Sequence, residues 1–381
     1  MWFIQANMIY KVLIAAVIFS LFILCVKNTK LMKFRFLFST LLSAAVLFLF
    51  SIKLAIVYIA YIIVTHLMIR LISKLKKTKK IFFVIMCILF VSPFVLWRIF
   101  DLSSVFETLV LVGFSYNMLK AVDALFYVYY TDIHIPFINY ANFILFFPVF
   151  TAGQIFRYRD FARQFEQLGP VSADDINIGI KRFIMGLFKK VVLVTVLTML
   201  FDHLASLQQY HWYTSLAIIL LAYIVLYVDL SGYSDMAVGV GRMMAITVPE
   251  NFKKPWTATS FTQFWRKWHV TLSDWIREHI FVVVQDKKLN KYQSALIGLI
   301  TMIVMSLWHE FSIITVIGGI YMGLFLVIEN IFSLSTFNVR KEKKIKYVMR
   351  CFFVNFFFAI NALTFSLDLN KILDILKGLV R

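Results

Sequence analysis

DLSGYSDMAVGVGRM (residues 229–243) opens the part of the chain that decides the fold. This part continues through PENFKKPW (249–256) and FWRKWHVTLSDWIREHIF (264–281), and it ends at SLWHEF (306–311), after an apolar run. It holds Trp, Arg, Lys, His and Asp together, so it is too polar to cross lipid and too apolar for an ordinary loop. Such backbone is tolerated inside a membrane only where protein or a water-filled cavity shelters it. Most of the chain before it is predicted to be membrane-spanning helix.

The composition is that of a polytopic membrane protein. The 381 residues are 61% hydrophobic and 15% charged, whereas a soluble domain has about 45–50% apolar and about 25% charged residues. A formal net charge of +19 would suggest nucleic acid as the partner of a soluble protein. Here the Lys and Arg residues cluster at the ends of apolar runs and form no basic domain. We therefore expect contacts with anionic lipid head groups and no nucleic-acid partner.

The apolar runs predict an all-α fold with about 10–11 transmembrane helices plus re-entrant and interfacial helices, because a spanning helix needs about 20 mainly apolar residues. The run 105–130 is less regular and contains Glu107, Lys120 and Asp123. The run 137–150 is too short to span and is predicted to be re-entrant or buried. The clear runs are 8–26, 36–52, 54–72, 81–99, 178–200, 212–228, 293–308, 311–332 and 348–367.

The chain is expected to form one integral membrane domain, residues 1–381. No Pro- or Ser-rich linker divides it. Within it we distinguish N-terminal helices (1–104), a core (105–332) and a C-terminal loop with a helix (333–381).

The basic clusters predict the orientation in the membrane. One cluster lies at 27–35 and another, KLKKTKK, at 74–80, with two predicted helices between them. The positive-inside rule places both clusters in the cytoplasm and the N-terminus outside. The first apolar run lacks a small-residue cleavage site, so it is interpreted as a retained helix and not a signal peptide.

His309 stands at the end of a long apolar run, beside Trp308 and Glu310. An ionisable residue within a membrane protein's apolar segments is a functional candidate. The imidazole is also the side chain best suited to proton transfer near neutral pH. The alternative is a histidine at the membrane interface, with Trp308 in the aromatic belt.

His269 lies in the tryptophan-rich motif WRKWHVTLSDW. If the motif is helical, Trp265, Trp268, His269 and Leu272 share one face, while Arg266 falls on the other. This pattern suits either an amphipathic helix lying in the interface or the aromatic wall of a tunnel with His269 pointing inward.

Arg157 follows the bend after the short run 137–150, together with Arg159 and Arg163. These arginines either snorkel at a helix end or face a phosphate or carboxylate of a substrate.

Neither a metal centre nor a permanently bound cofactor is expected. The three cysteines, Cys25, Cys87 and Cys351, are far apart, and the histidines lack the spacing of metal ligands. No nucleophile elbow or phosphate-binding glycine loop is present.

At these motifs the chain resembles the membrane-bound O-acyltransferase family. It looks most similar to the bacterial branch of alginate and peptidoglycan O-acetyltransferases, with the teichoic-acid D-alanyl transfer protein as a relative. The resemblance runs from about residue 113 to 330. It is carried by FPVFTAGQIFRYRDF (147–161) and GLFKKVVL (186–193), followed by the four stretches quoted at the outset.

The resemblance implies a bundle of tilted helices around a central funnel, with a thin floor between the cytoplasm and the exterior. It implies that His309 is catalytic and that His269 acts beside it in the tunnel. We assign the remaining tunnel-lining or substrate-contacting positions to Trp265, Arg266, Trp268, Trp308, Glu310, Asp235, Tyr233, Asn251 and Arg157.

The resemblance also implies an activity in the bacterial cytoplasmic membrane. An acyl group, in the first place acetyl, would pass from acetyl-CoA or an acyl-carrier thioester in the cytoplasm to an extracellular or cell-wall polysaccharide. An extracytoplasmic SGNH-type acetyltransferase would assist as a partner. Three positions depart from the family pattern: Glu310 replaces a Gly, Gln154 replaces a Pro, and Met322 stands where acetyltransferases often have a second His.

Three alternatives stay open at this point. The first is D-alanyl transfer to teichoic acid from a carrier protein. The second is a polytopic transporter or channel without chemistry, although no internal repeat of the kind common in transporters is visible. The third is a scaffold in which His309 is inactive.

Overall fold

Helices make up the regular structure of this protein, and no strand occurs among the residues described. The computed structural model describes residues 6–26, 30–75, 78–100, 113–150, 153–281, 290–337 and 342–381.

Fifteen α-helices follow one another in chain order within the described residues. In order they are α1 (Ala6–Val26), α2 (Arg35–Phe50), α3 (Ile52–Ile72), α4 (Lys79–Phe100), α5 (Phe114–Thr131), α6 (Phe137–Leu145), α7 (Tyr158–Glu166), α8 (Ala173–Ala205), α9 (Trp212–Met243), α10 (Phe261–Trp265), α11 (Val270–Ile276), α12 (Lys291–His309), α13 (Ile313–Ile331), α14 (Lys344–Ala362) and α15 (Leu369–Gly378).

Eight helices within the described residues are long and apolar enough to cross a membrane. The all-α, multi-pass fold is therefore confirmed, with fewer candidate spans than the expected 10–11. The spans are Lys30–Phe50, Ile52–Ile72, Lys79–Phe100, Ala173–Ala205, Trp212–Met243, Lys291–His309, Ile313–Ile331 and Lys344–Phe365.

Two of the predicted apolar runs are not among these spans. Residues 105–112 of the run 105–130, including Glu107, lie outside the described residues. The run 137–150 folds as the nine-residue α6 and a 3-10 turn (Phe147–Val149). Residues 140–150 are buried, as expected of a segment too short to span.

Helices α8 and α9 are longer than the predicted runs 178–200 and 212–228. Lys189 and Lys190 lie in a π-helical turn, Lys189–Leu193, inside α8. Helix α9 does not end at residue 228 but runs on to Met243. Three ion pairs join the two helices, Asp175–Arg242, Arg182–Asp235 and Lys190–Asp229, so the helical backbone need not break where these charges occur.

The chain forms two compact units. One comprises Met1–Gly186 and Tyr233–Pro249, and the other comprises Leu187–Gly232 and Glu250–Arg381. The predicted subdivision at residues 104 and 332 stays a prediction.

The first unit buries the charged residues of the irregular run. Lys120 is almost fully buried, and its Nζ donates to Asn117 Oδ1 at 3.0 Å and to the Ile144 carbonyl at 2.8 Å. Asp123 accepts from the Tyr158 backbone N–H at 2.6 Å and pairs with Arg157 at 3.7 Å. Burial of these charges is possible because each has hydrogen-bond partners.

The second unit is organised around the pair α12 and α13. Ser312 and Thr315 form a capping box at the start of α13, and three residues separate it from the end of α12. A Cβ on Gly319 would lie 2.9 Å from Ile303 Cα, and one on Gly323 would lie 3.1 Å from Leu299 Cα. The two backbones can therefore approach this closely only with glycine at both positions.

A buried ion pair of the second unit predicts a strong effect on stability. Lys190, which is 6% exposed, pairs with Asp229. Asp229→Asn should lower the free energy of unfolding by about 3–5 kcal/mol, because it leaves a buried charge uncompensated. Denaturation of the detergent-solubilised protein measures this change.

The control is Asp374→Asn, which removes a pair with Lys377 in which both side chains are about 60% exposed. It should change stability by about 0–1 kcal/mol. An equal effect of the two substitutions would contradict a structural role for the buried pair.

Candidate active site

The motif around His269 is not one continuous helix. Helix α10 ends at Trp265 and α11 begins at Val270. His269 stands at the break with φ +46° and ψ +50°, in the left-handed region. A non-glycine residue there costs on the order of 1–3 kcal/mol unless its surroundings hold it in place. The expectation of a single amphipathic helix is therefore wrong for this segment.

Asn251 holds the break in place. Its carbonyl accepts from the Val270 N–H at 2.9 Å, and its Oδ1 accepts from the Thr271 N–H at 3.2 Å and hydroxyl at 3.0 Å. The Lys253 N–H also donates to the Lys267 carbonyl at 2.9 Å. Asn251, which we predicted to line the tunnel, thus fixes the backbone on which His269 is carried.

Glu329 fixes the other side of the motif. Its buried carboxylate accepts from the backbone N–H groups of Phe261 and Thr262, at 2.5 and 2.8 Å, and from the Thr262 hydroxyl at 2.8 Å. A carboxylate at these N–H groups satisfies the free donors at the start of α10. Helix α10, which carries Trp265, is thereby tied to the end of α13.

His309 is the last residue of α12 and comes close to His269. The centroids of the two imidazole rings are 6.2 Å apart, and the Trp308 ring lies 4.8 Å from His309 and 6.4 Å from His269. Phe365 packs edge-on against His309 at 5.7 Å. The fold therefore brings together two predicted site residues that are forty positions apart in the sequence.

The two histidines line a small, mostly apolar chamber. Its volume is about 30 Å³, which is room for about two water molecules at about 10–15 Å³ each. His269 is buried and His309 half-buried. The other lining residues are Trp265, Trp268, Leu272, Met302, Met305, Ser306, Met322, Phe358, Asn361 and Phe365.

A larger cavity of about 440 Å³ adjoins the chamber. Trp265, Met302 and Met305 line both, so these three residues form the wall between them. The larger cavity also carries the guanidinium groups of Arg266 and Arg277.

Two polar atoms at this larger cavity are buried without a hydrogen-bond partner among the described residues. They are Trp265 Nε1 and Thr301 Oγ1. Buried polar groups are normally hydrogen-bonded. Trp265 and Thr301 therefore bring two unsatisfied polar atoms into the wall of this cavity.

His269 is neutral at physiological pH. It lies outside the eight candidate spans, and burial, reinforced by the nearby His309, lowers the pKa of its imidazole to about 3. A neutral imidazole has one N–H donor and one lone pair. It can therefore hydrogen-bond to a reacting group without carrying charge into the chamber.

Three predicted site residues belong to the other unit and have partners there. Arg157 pairs with Asp123, and Asp235 pairs with Arg182 at 3.0 Å. Tyr233 is buried, and its ring lies against Gly153, where a Cβ would be 3.3 Å from it.

The remaining predicted residues surround His309 in different ways. Trp265 and Trp268 line the chamber and Arg266 lines the larger cavity. Trp308 packs beside both imidazoles. Glu310 is exposed and has an extended backbone where α12 ends.

The C-terminal residues of the chamber were not among the predicted site residues. Phe358, Asn361 and Phe365 all line it. Their spacing of three and seven places them on one helical face, and an Asn in an apolar helix is itself a signal of function. No sequence motif links this face to His309, so the signal could be recognised only after the site was known.

No group of three or more His, Cys, Asp and Glu that could hold a metal ion occurs in the part of the chain that the structure describes. The polar lining of the chamber consists instead of two imidazoles, the Ser306 hydroxyl and the Asn361 carboxamide. The imidazoles can transfer protons to or from a reacting molecule, and all of these groups can form hydrogen bonds with it.

Comparison with known proteins identifies a family over most of the chain. The profile of the membrane-bound O-acyltransferase family (MBOAT) matches residues 59–369. This range includes His269, His309 and the C-terminal wall of the chamber.

Individual relatives match at about 30% identity. A probable alginate O-acetylase of Pseudomonas syringae is 33% identical over 231 residues, which are 59% of this chain and 44% of the relative. A peptidoglycan O-acetyltransferase of Helicobacter pylori is 31% identical over 260 residues, 64% of this chain and 47% of the relative. A teichoic acid D-alanyltransferase of Bacillus subtilis is 29% identical over 209 residues, which are 52% of this chain and 53% of the relative. The chain spans about half the length of these relatives.

The lowered pKa of His269 predicts a loss of stability in acid. Its pKa is about 3 in the folded protein against an ordinary value of 6.5, so the unfolded chain binds the proton first. This contribution to stability is complete above pH 6.5 and is lost as the pH falls towards 3. Between pH 7.5 and 5 the loss is about 2 kcal/mol.

His269→Asn should remove that part of the pH dependence, as measured by unfolding at the two pH values. The exposed His203 provides the matched control, and His203→Asn should leave the pH dependence as it is in the parent. If both variants keep the parent's pH dependence, His269 is not the titrating group.

Proposed function

Because this chain belongs to the membrane-bound O-acyltransferase family, we propose that it is an enzyme that transfers a small acyl group, in the first place acetyl, from a thioester to a hydroxyl group of a polysaccharide. One observation carries the proposal. The imidazole of His309 lines a small, mostly apolar chamber that shares a wall with a larger cavity lined by two arginines.

In this proposal His309 is the general base. Its imidazole accepts the proton of the acceptor hydroxyl while the hydroxyl oxygen attacks the thioester carbonyl. The new C–O bond forms and the C–S bond breaks. The leaving thiolate takes up the proton from the imidazolium, which regenerates the neutral histidine and releases a thiol and an ester.

His269 acts beside it without changing its charge. Negative charge develops on the carbonyl oxygen as the hydroxyl attacks, and a fixed N–H donor stabilises that charge. The neutral imidazole of His269, 6.2 Å from His309 between ring centroids, supplies such a donor. Its strained but well-held backbone keeps the ring in place during the reaction.

The apolar wall of the chamber protects the donor. A thioester is activated towards hydrolysis, and an enclosed site excludes the water that would hydrolyse it. Most of the lining side chains are aromatic or methionine, so few groups compete for the donor's carbonyl.

The donor is proposed to occupy the larger cavity and to be anionic, either acetyl-CoA or an acyl-carrier thioester. Guanidinium groups bind phosphate through charge-assisted hydrogen bonds. Arg277 also pairs with Asp274 at 2.9 Å, whereas no described residue forms an ion pair with the exposed Arg266. Arg266 is therefore the cation available to the donor's phosphate.

The acceptor and the cellular setting are inferred from the relatives and from charge. Two relatives are named as acetylating alginate and peptidoglycan, which supports an extracellular or cell-wall polysaccharide as the acceptor. We propose the bacterial cytoplasmic membrane, with the N-terminus outside. We propose an extracytoplasmic SGNH-type acetyltransferase as a partner that assists delivery of the acyl group to the polysaccharide.

D-alanyl transfer is a second candidate, because teichoic acid D-alanyltransferases are among the relatives. It requires a carrier protein as the donor. Incubation of the purified protein with acetyl-CoA or with a D-alanyl carrier protein separates the two functions. Family membership favours either of them over a channel without chemistry.

Replacement of His309 tests the mechanism. His309→Ala should lower the rate of acyl transfer by about 10²–10⁴-fold, the usual contribution of a general base. The acyl-ester content of the cell polysaccharide should fall accordingly. Mass analysis of the polysaccharide measures it, with the amount of protein checked in the membrane fraction. The exposed His211 serves as the control, and His211→Ala should acylate like the parent. Normal acylation by His309→Ala would end the proposal.

Replacement of Arg266 tests the donor site. Arg266→Gln should raise the KM for acetyl-CoA about 10- to 100-fold, because a charge-assisted hydrogen bond contributes about 1.5–3 kcal/mol. The kcat should change little, since the arginine binds the donor away from the reacting atoms. Arg381→Gln, at an exposed position, should leave both constants unchanged. A fall in kcat at constant KM would place Arg266 in the chemistry instead.

A further inference from the structure

Three methionines form part of the wall of the chamber at His309. Met302 and Met305 come from α12 and Met322 comes from α13, and all three are buried. The methionine side chain is flexible and polarisable, so it adapts to a small apolar group in contact with it. This side of the chamber is thus suited to hold a hydrocarbon group and not a polar one.

Met322 differs from Met302 and Met305 in the cavities that it lines. Met302 and Met305 also line the larger cavity, so they belong to the wall between the two spaces. Met322 lines the small chamber and not the larger cavity, and it is 1% exposed. A group that enters from the larger cavity past Met302 and Met305 therefore meets Met322 inside the chamber.

The backbone around Met322 cannot move back to make room. Gly319 lies three residues before Met322, on the same face of α13, and Gly323 directly follows Met322 in the chain. Both pack directly against the backbone of α12, where a Cβ would lie 2.9 and 3.1 Å from a Cα atom. The space at this end of the chamber is consequently set by the length of the side chain at 322.

The volume of the chamber admits only a small group. About 30 Å³ corresponds to about two water-sized spheres, which suits the methyl and carbonyl of an acetyl group. A chain of four or six carbons would need the space that Met322 occupies.

We propose that Met322 is the residue that limits the length of the transferred acyl group, so that the enzyme uses acetyl or a group of similar size and rejects longer acyl thioesters. This inference rests on the proposed function, because it assumes that the acyl group reacts at His309. The neighbouring aromatic residues are less suited to the role, since Phe358 is packed against Phe264 at 4.3 Å and Trp268 at 4.7 Å.

The test compares donors of different length. The purified full chain in lipid nanodiscs is given acetyl-, butanoyl- or hexanoyl-CoA together with polysaccharide from cells that lack this protein. The rate of ester formation is followed by mass analysis. The parent should use acetyl-CoA far better than the two longer donors.

Met322→Ala should raise the rate with hexanoyl-CoA relative to acetyl-CoA by about tenfold or more, since a single methylene in an apolar pocket already changes discrimination about 10–200-fold. Met322→Leu, which conserves volume, should keep the parent's ratio. Met118→Ala makes the same truncation at a buried position that does not line the chamber, and it should also keep that ratio.

The outcomes distinguish a failure of the proposed function from a failure of the role assigned to Met322. If the parent transfers no acyl group from any thioester, the proposed function fails. If the parent transfers acetyl and a folded Met322→Ala keeps its selectivity for acetyl, only the role of Met322 fails. Should Met322→Ala not fold, Met322→Val shortens the side chain with a smaller loss of packing, and an unchanged ratio in that variant overturns the inference equally.

Discussion

A buried backbone that is not helical must find its hydrogen bonds within the protein, and the site around His269 depends on meeting that condition. The break between α10 and α11 leaves several amide groups without helical partners. Asn251 accepts hydrogen bonds from the residues that follow His269, and Glu329 accepts those from the start of α10. Only with these groups satisfied can His269 keep a left-handed backbone and direct its ring towards His309.

Two ionisable side chains of the second unit show that a group is buried there only when it is paired or neutral. Lys190 is buried because Asp229 neutralises it, and His269 is buried because it carries no charge. Two charged imidazoles 6.2 Å apart in an apolar chamber would repel each other strongly. With His269 held neutral, the chamber can accept a positive charge on His309 while a proton is in transit. The two histidines can therefore take different roles although they are the same residue type.

The sequence alone was sufficient for the features that depend on local composition. The length of the apolar runs predicted a helical membrane protein, and the motifs around His269 and His309 indicated the family. It was not sufficient for features that arise from distant contacts. Helix α9 runs on to Met243 because charges on α8 and α9 pair, and the motif WRKWH breaks because Asn251 and Glu329 offer better partners than a helix would. Asn361 and Phe365 reach the chamber only through the packing of α14 beside α13, a contact that no local pattern encodes.

The contact between Glu329 and the start of α10 couples two walls of the site mechanically. Helix α10 carries Trp265, which separates the chamber from the larger cavity, and α13 carries Met322, which closes the chamber. Because one carboxylate joins the end of α13 to both leading amides of α10, a displacement of either helix is transmitted to the other. The partition and the end wall of the reaction space are thus anchored to each other through a single side chain.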